Sequence, residues 1–103
     1  MKRLKGAMTR MEFELKNLGS DAFAFVHEKD GKQDAEITWT LMGDVMVMDH
    51  TYVDPSLRGG GVAKQLLDRA AEHAREHGYK MEAVCSYVVT AFKRYPDYDD
   101  IKA

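Results

Sequence analysis

Three consecutive glycines stand between a short apolar run and the only long amphipathic stretch of the chain. Arg58-Gly59-Gly60-Gly61 follows Val45-Met46-Val47-Met48 and precedes a helical pattern that runs to about residue 77. In that pattern Ala63, Leu66, Leu67, Ala70, Ala71 and Ala74 share one face, while Asp68, Arg69, Glu72, Arg75 and Glu76 take the other. Gly78 stands where a left-handed C-terminal cap is wanted, and residues 79–86 then read as a strand. Strand, loop, helix and strand make a crossover unit. The strand ending at Val53 and the one beginning near Tyr79 are therefore expected to lie parallel, joined right-handedly.

The rest of the chain reads as an antiparallel meander feeding that unit. Phe13 and Leu15 alternate with Glu12, Glu14 and Lys16, which predicts an edge strand from Met11 to a turn at Asn17-Leu18-Gly19-Ser20. Residues 22–28 and 35–42 predict a hairpin across Lys29-Asp30-Gly31-Lys32, because Gly accepts the positive φ that primed turns require; Ile37, Trp39 and Leu41 share one face of its second strand. The run Val45-Met46-Val47-Met48 is apolar at consecutive positions, the mark of a strand buried on both faces. Residues 88–95 predict a short C-terminal helix that Pro96 stops, and Ser86 stands where it would cap that helix. The expected fold is α/β in the α+β sense, a mixed sheet with a meander, one crossover and a short last helix. No repeat or low-complexity segment interrupts it.

At 103 residues the chain is expected to hold one domain, residues 11–103, preceded by a frayed basic arm, residues 1–10. Its single cysteine, Cys85, cannot form an internal disulfide, which fits a reducing, cytoplasmic setting. No apolar run approaches membrane-spanning length, and no apolar signal core follows the basic start, so membrane and secreted readings are set aside. A formal charge of -2 supplies no cationic field for a phosphate backbone, so no nucleic-acid partner is expected.

A glycine loop before a helix is chemically suggestive. The first turn of a helix has unpaired N–H donors and the positive end of the macrodipole, and a loop without Cβ atoms lets an anion reach them. Each such contact contributes about 0.3–1 kcal/mol at an exposed site. A pyrophosphate fits; a plain glycine linker before a helix is the competing reading. A phosphate-binding P-loop needs Gly-Lys followed by Ser or Thr, whereas Lys64 follows Ala63 and precedes Gln65, and the G-x-G-x-x-G dinucleotide fingerprint is absent.

Arg58-Gly59-Gly60-Gly61-Val62-Ala63 resembles the Arg/Gln-x-x-Gly-x-Gly/Ala signature of the GNAT superfamily of acetyl-CoA-dependent N-acetyltransferases, matching every defined position. Asp49-His50-Thr51, Cys85-Ser86-Tyr87 and Tyr95-Pro96-Asp97-Tyr98 look like the small stand-alone GNAT-like proteins, and the resemblance covers roughly residues 12–101. It implies two parallel central strands that splay apart around the pantetheine arm of CoA. Backbone amides of Arg58, Gly59, Gly60, Gly61, Val62, Ala63 and Lys64 would hold the pyrophosphate. Main-chain N–H groups near Thr51, Tyr52 and Val53 would meet the acetyl carbonyl. The implied function is acetyl transfer from acetyl-CoA to a primary amine, on a small molecule or a protein. A non-catalytic acyl-CoA-binding module or sensor is the alternative, and an interaction domain whose loop is only a turn is a third. The chain lacks room for the helices that usually separate the first two strands and ends before the last strands, the parts that normally wall the acceptor site.

The chemistry-bearing candidates are few. Cys85 stands at the carboxyl end of the strand flanking the cleft, and a helix N-terminus favours the thiolate. It could accept acetyl or protonate the departing thiolate; equally, it is a small apolar residue filling a strand end. His50 could deprotonate an ammonium acceptor or orient Cys85 if it faces the cleft, with Asp49 and Thr51 facing the other way; a strand-end histidine bonded to backbone is the plainer reading. Tyr87 is the phenol nearest the expected site, ahead of Tyr95 and Tyr98, and could protonate the leaving thiolate, although packing explains all three. His73 and His77 share a helical face, but two ligands do not make a zinc site; with no cysteine pair or nearby acidic third ligand, solvated surface is expected and no metal. Met42, Met46 and Met48 are expected to fill the core.

Overall fold

The structure, a computed structural model, describes residues 11–103. The expectation of a frayed arm at residues 1–10 lies outside them. Five strands form one sheet in the order β1-β2-β3-β4-β5: β1 (Glu14–Gly19), β2 (Ala22–Lys29), β3 (Lys32–Met42), β4 (Val45–Val53) and β5 (Lys80–Ala83). The first four pair antiparallel and β5 lies parallel to β4, with α1 (Val62–His77) as the crossover and α2 (Ser86–Arg94) following β5.

The meander follows from its turns. Asp30 and Gly31 both take positive φ, 55° and 79°, the backbone a primed two-residue hairpin needs. The first turn falls later than expected: β1 begins at Glu14, runs on through Asn17 to Gly19, and reverses at Asp21, with a register shift between Asn17 and Gly19. α1 begins and ends where its periodicity predicts, and the Gly78 N–H closes it on the carbonyls of Ala74 and Arg75.

The core is a single layer between the sheet and its helices. Phe25, Ile37, Trp39, Met46, Met48 and Met81 from one sheet face pack with Leu66, Leu67, Ala70 and Ala74 of α1 and with Val88, Ala91 and Phe92 of α2. Burying each large apolar side chain contributes roughly 1.5–3 kcal/mol. Since both helices join this one cluster, Val45 and Val47 on the other pleat of β4 stay half-exposed while Met46 and Met48 are fully buried. The expected two-sided burial of β4 is thus corrected. Met42, expected in the core, is 64% exposed at the strand end. His73, expected on solvated surface, is half-buried with its ring 5.6 Å from that of Phe25 and 5.5 Å from that of Trp39.

The C-terminal tail returns to the sheet. Tyr98 is buried and donates its hydroxyl to Asp68 of α1, and Lys102 makes a one-residue parallel bridge to Met81 beside β5.

Candidate active site

The site grows from one inserted residue on β4. Thr38 of β3 pairs with His50, while Trp39 pairs with Met48, so Asp49 is an extra residue with no partner across the ladder. A bulge of this kind shifts side-chain alternation. Met46 and Met48 face the helices; beyond the bulge it is Thr51 that pairs with inward-facing Ile37, and His50 that pairs with Thr38 on the open face. His50 therefore does not face Cys85. It is half-exposed, with Nε2 3.2 Å from Glu36 Oε2, while Asp49 accepts a 2.6 Å bond from Thr38 Oγ1 on the same side.

Thr51 takes the place expected of His50: its Oγ1 lies 3.4 Å from the Sγ of Cys85. The approach is possible because β4 and β5 part company. Their pairing ends at Met48 and Ala83, and the N–H groups of Val84 and Cys85 both donate to the Met48 carbonyl, at 3.1 and 3.0 Å. The chain then turns into α2 with Cys85 as its N-cap residue; neither Ser86 nor any other side chain caps that helix. β4 continues to Val53 held by β3 alone. The Asp54 N–H donates to the Asp34 carbonyl at 2.7 Å, and along an antiparallel ladder such groups alternate. Tyr52 thus spends its peptide N–H on β3 opposite Glu36, which removes it from the three amides expected at the acetyl carbonyl. By the same alternation the N–H groups of Thr51 and Val53 turn away from β3, toward the side that β5 has left.

The glycine loop closes the other end of this opening. Asp54 accepts from the Ser56 N–H and hydroxyl at 2.9 and 2.6 Å, bonds that hold its carboxyl below the usual range and fix the short turn at Pro55–Leu57. The Arg58 N–H donates to the Pro55 carbonyl at 3.2 Å, so that amide is committed to the turn. Its Nε reaches the Val53 carbonyl, also at 3.2 Å. Gly59 and Gly61 then adopt φ of 87° and 76°, a region costly for residues with a Cβ, and open space lies where each Cβ would stand. Gly61 is the N-cap of α1; among the described residues no side chain caps that helix, and its first turn holds no acidic residue. The amides of Val62, Ala63 and Lys64 precede the first helical bond, from Gln65 N–H to the Gly61 carbonyl at 3.1 Å.

A cleft of about 290 Å³ joins these parts, bounded by Val53, the glycine loop, the first turn of α1, Tyr87 of α2 and Tyr95 just past its end. The Lys64 ammonium sits 3.1 Å from Asp68 and 4.7 Å over the Tyr95 ring, so its charge is already partnered. Burial, the neighbouring Tyr95 and the Asp68 carboxylate raise the pKa of Tyr87, keeping the phenol protonated near neutrality. Tyr98 is raised further, by burial and by its bond to Asp68, and serves to tie the tail to α1. An uncapped helix start, side-chain-free loop, nearby guanidinium and apolar flank suit a pyrophosphate with an apolar arm, so the residues present fit the CoA moiety.

Two features of this geometry have no local sequence signal. Glu36 meets His50 only through the pairing of β3 with β4, and no glycine marks the bulge at Asp49.

Residues 22–101 match the profile of the GCN5-related N-acetyl-transferase family. Among solved structures, the chain is similar to a GCN5-like protein from Staphylococcus aureus described as an N-acetyltransferase, at 31% identity and a TM-score of 0.66, covering 93% of this chain and 91% of that one. It is also similar to a ribosomal-protein-alanine N-acetyltransferase from Brucella melitensis, at 26% identity and a TM-score of 0.58, over 81% of this chain and 64% of that one. The ribosomal-protein-S18-alanine N-acetyltransferase from Escherichia coli shares the fold at 17% identity and a TM-score of 0.60, with 74% of this chain matching 52% of that one. The chain thus spans between about half and two thirds of those two ribosomal-protein enzymes.

Proposed function

The chain belongs to the GCN5-related N-acetyltransferase family, and on that premise we propose that it moves an acetyl group from acetyl-CoA to a primary amine in the cleft between β4 and α1. The observation that carries this reading is the start of α1, which no side chain among the described residues caps and which opens into a cleft that Val53 of β4 also lines.

Acetyl-CoA supplies the acetyl group activated as a thioester. The amides of Gly59, Gly61, Val62, Ala63 and Lys64, with the Arg58 guanidinium, hold its phosphates against the helix N-terminus. Thr51 and Val53 N–H groups donate to the acetyl carbonyl oxygen and stabilise the negative charge that grows there as the amine attacks. The new C–N bond forms as the C–S bond breaks; Tyr87 gives its proton to the departing sulfur, and the second proton that the nitrogen sheds as the amide forms returns the phenolate to the phenol. Beyond Met48 no strand flanks β4 on the β5 side among the described residues, so the acceptor can enter from the open sheet face. There His50, backed by Glu36, takes the proton from the incoming ammonium. Cys85, bonded to Thr51, positions the opening in this direct-attack route. No helix of the described chain is long and apolar enough to cross a membrane, and a lone free cysteine supports a cytoplasmic setting.

An amide chemical-shift titration with CoA and with acetyl-CoA tests the reading. Saturable shifts at Gly59, Gly61, Val62, Thr51 and Val53 are expected, and an amine panel monitored by thiol release then identifies the acceptor. No shift at millimolar ligand would remove the cofactor site and the reaction with it.

A further inference from the structure

The last turn of α1 carries a cluster that acetyl transfer leaves unused. His73, Glu76 and His77 each offer one ligand atom, and the three atoms lie within 4.8 Å of one another. Their spacing along the helix puts them on one face. Glu76 is the acidic third group that two histidines alone lack. Its sequence neighbour Arg75 pairs with Asp100 at 2.9 Å, and Glu76 makes no ion pair among the described residues.

The two imidazoles are held in place by their neighbours. His77 Nδ1 lies 2.9 Å from the His73 carbonyl oxygen. A carbonyl only accepts, so Nδ1 carries a proton and Nε2 is the ring nitrogen left to face a metal. Metal-bound imidazoles use the same backbone bond to fix their tautomer. The rings of His73 and His77 lie 4.1 Å apart, and Tyr79 stacks on His77 at 5.5 Å. The His73 ring is held between those of Phe25, at 5.6 Å, and Trp39, at 5.5 Å. Beside the cluster a cleft of about 240 Å³ has room for the water that completes a coordination shell.

We infer that His73, Glu76 and His77 form a binding site for a borderline divalent transition-metal ion such as zinc, copper or nickel. Two nitrogens and one carboxylate oxygen select that class over magnesium or calcium, which prefer oxygen ligands throughout. The site lies about 20 Å from the glycine loop, by the 1.5 Å rise per residue of α1, and so stands independently of the acetyl-CoA cleft.

Trp39 is the only tryptophan in the chain, and its ring is 5.5 Å from His73, so bound copper should quench its fluorescence. The experiment titrates the untagged full chain with Cu²⁺, then adds Zn²⁺ as competitor. Saturable quenching at one ion per chain is expected, reversed by a large excess of zinc. His77→Gln and Glu76→Gln alter exposed side chains and leave the core intact. Each should weaken binding by at least about tenfold. Absence of saturable quenching at micromolar copper, or wild-type affinity in either variant, would overturn the assignment.

Discussion

Asp49 adds one residue to β4, and every side chain after it exchanges faces. Without that insertion His50 would look at Cys85 and Thr51 at solvent; with it, Thr51 meets the thiol at 3.4 Å and His50 meets Glu36 at 3.2 Å on the far side of the sheet. Acid and base in the proposed reaction are thereby divided between two faces, which lets donor and acceptor approach from opposite sides. In the proposed reaction Tyr87 is the acid, and burial raises its pKa, so the phenol keeps its proton near neutrality. Tyr87→Phe is expected to lower kcat by about a hundredfold or more, the usual contribution of general acid catalysis, with CoA affinity unchanged. Steady-state kinetics beside a CoA titration checks this; an unaltered kcat would mean that the thiolate takes its proton elsewhere. Cys85→Ala should retain turnover if attack is direct, and intact-protein mass spectrometry of the wild type mixed with acetyl-CoA should then show no acetyl adduct that the variant lacks.

At the scale of elements, α1 serves both ends of the molecule. Its buried face is built from Leu66, Leu67 and four small or branched residues that let the sheet approach closely, and its start is left without a cap. A natural N-cap side chain would satisfy one of the free donors and stabilise the helix by about 1 kcal/mol. Gly61, at φ 76°, offers no such side chain and keeps the donors available. Gly61→Val should therefore act twice. The left-handed backbone costs a β-branched residue about 1–3 kcal/mol, read as a lower urea midpoint, and its side chain enters the open space in front of the loop. CoA affinity should fall by at least about tenfold with helix content preserved, as followed by calorimetry and circular dichroism. Equal affinity would show that the phosphates do not use this end of α1.

At the scale of the whole molecule, the fold is one sheet with helices on one face, closed by a tail that Tyr98 anchors to Asp68. An unfolded tyrosine ionises near its usual pKa of about 10. Folded Tyr98 holds its proton well above that range because it is buried and hydrogen-bonded to a carboxylate. The unfolded chain then loses a proton that the folded chain keeps, so stability is full below pH 10 and falls as pH rises beyond it, by about 1.4 kcal/mol per unit for one group. Tyr98→Phe should be less stable at neutral pH and should lose stability more gently between pH 9 and 11, measured by urea unfolding; parallel curves would contradict the anchor. How much of this was legible beforehand divides along range. The glycine loop, the limits of α1, the Asp30-Gly31 hairpin and the parallel crossover could be read from residues alone, because backbone preference and apolar periodicity act over a few positions. The face taken by His50, the pairing of Glu36 with it, the lost amide of Tyr52 and the exposure of Met42 could not. Those depend on how strands distant in the chain register against one another and on which face the helices cover, and only the folded packing of the whole chain decides either.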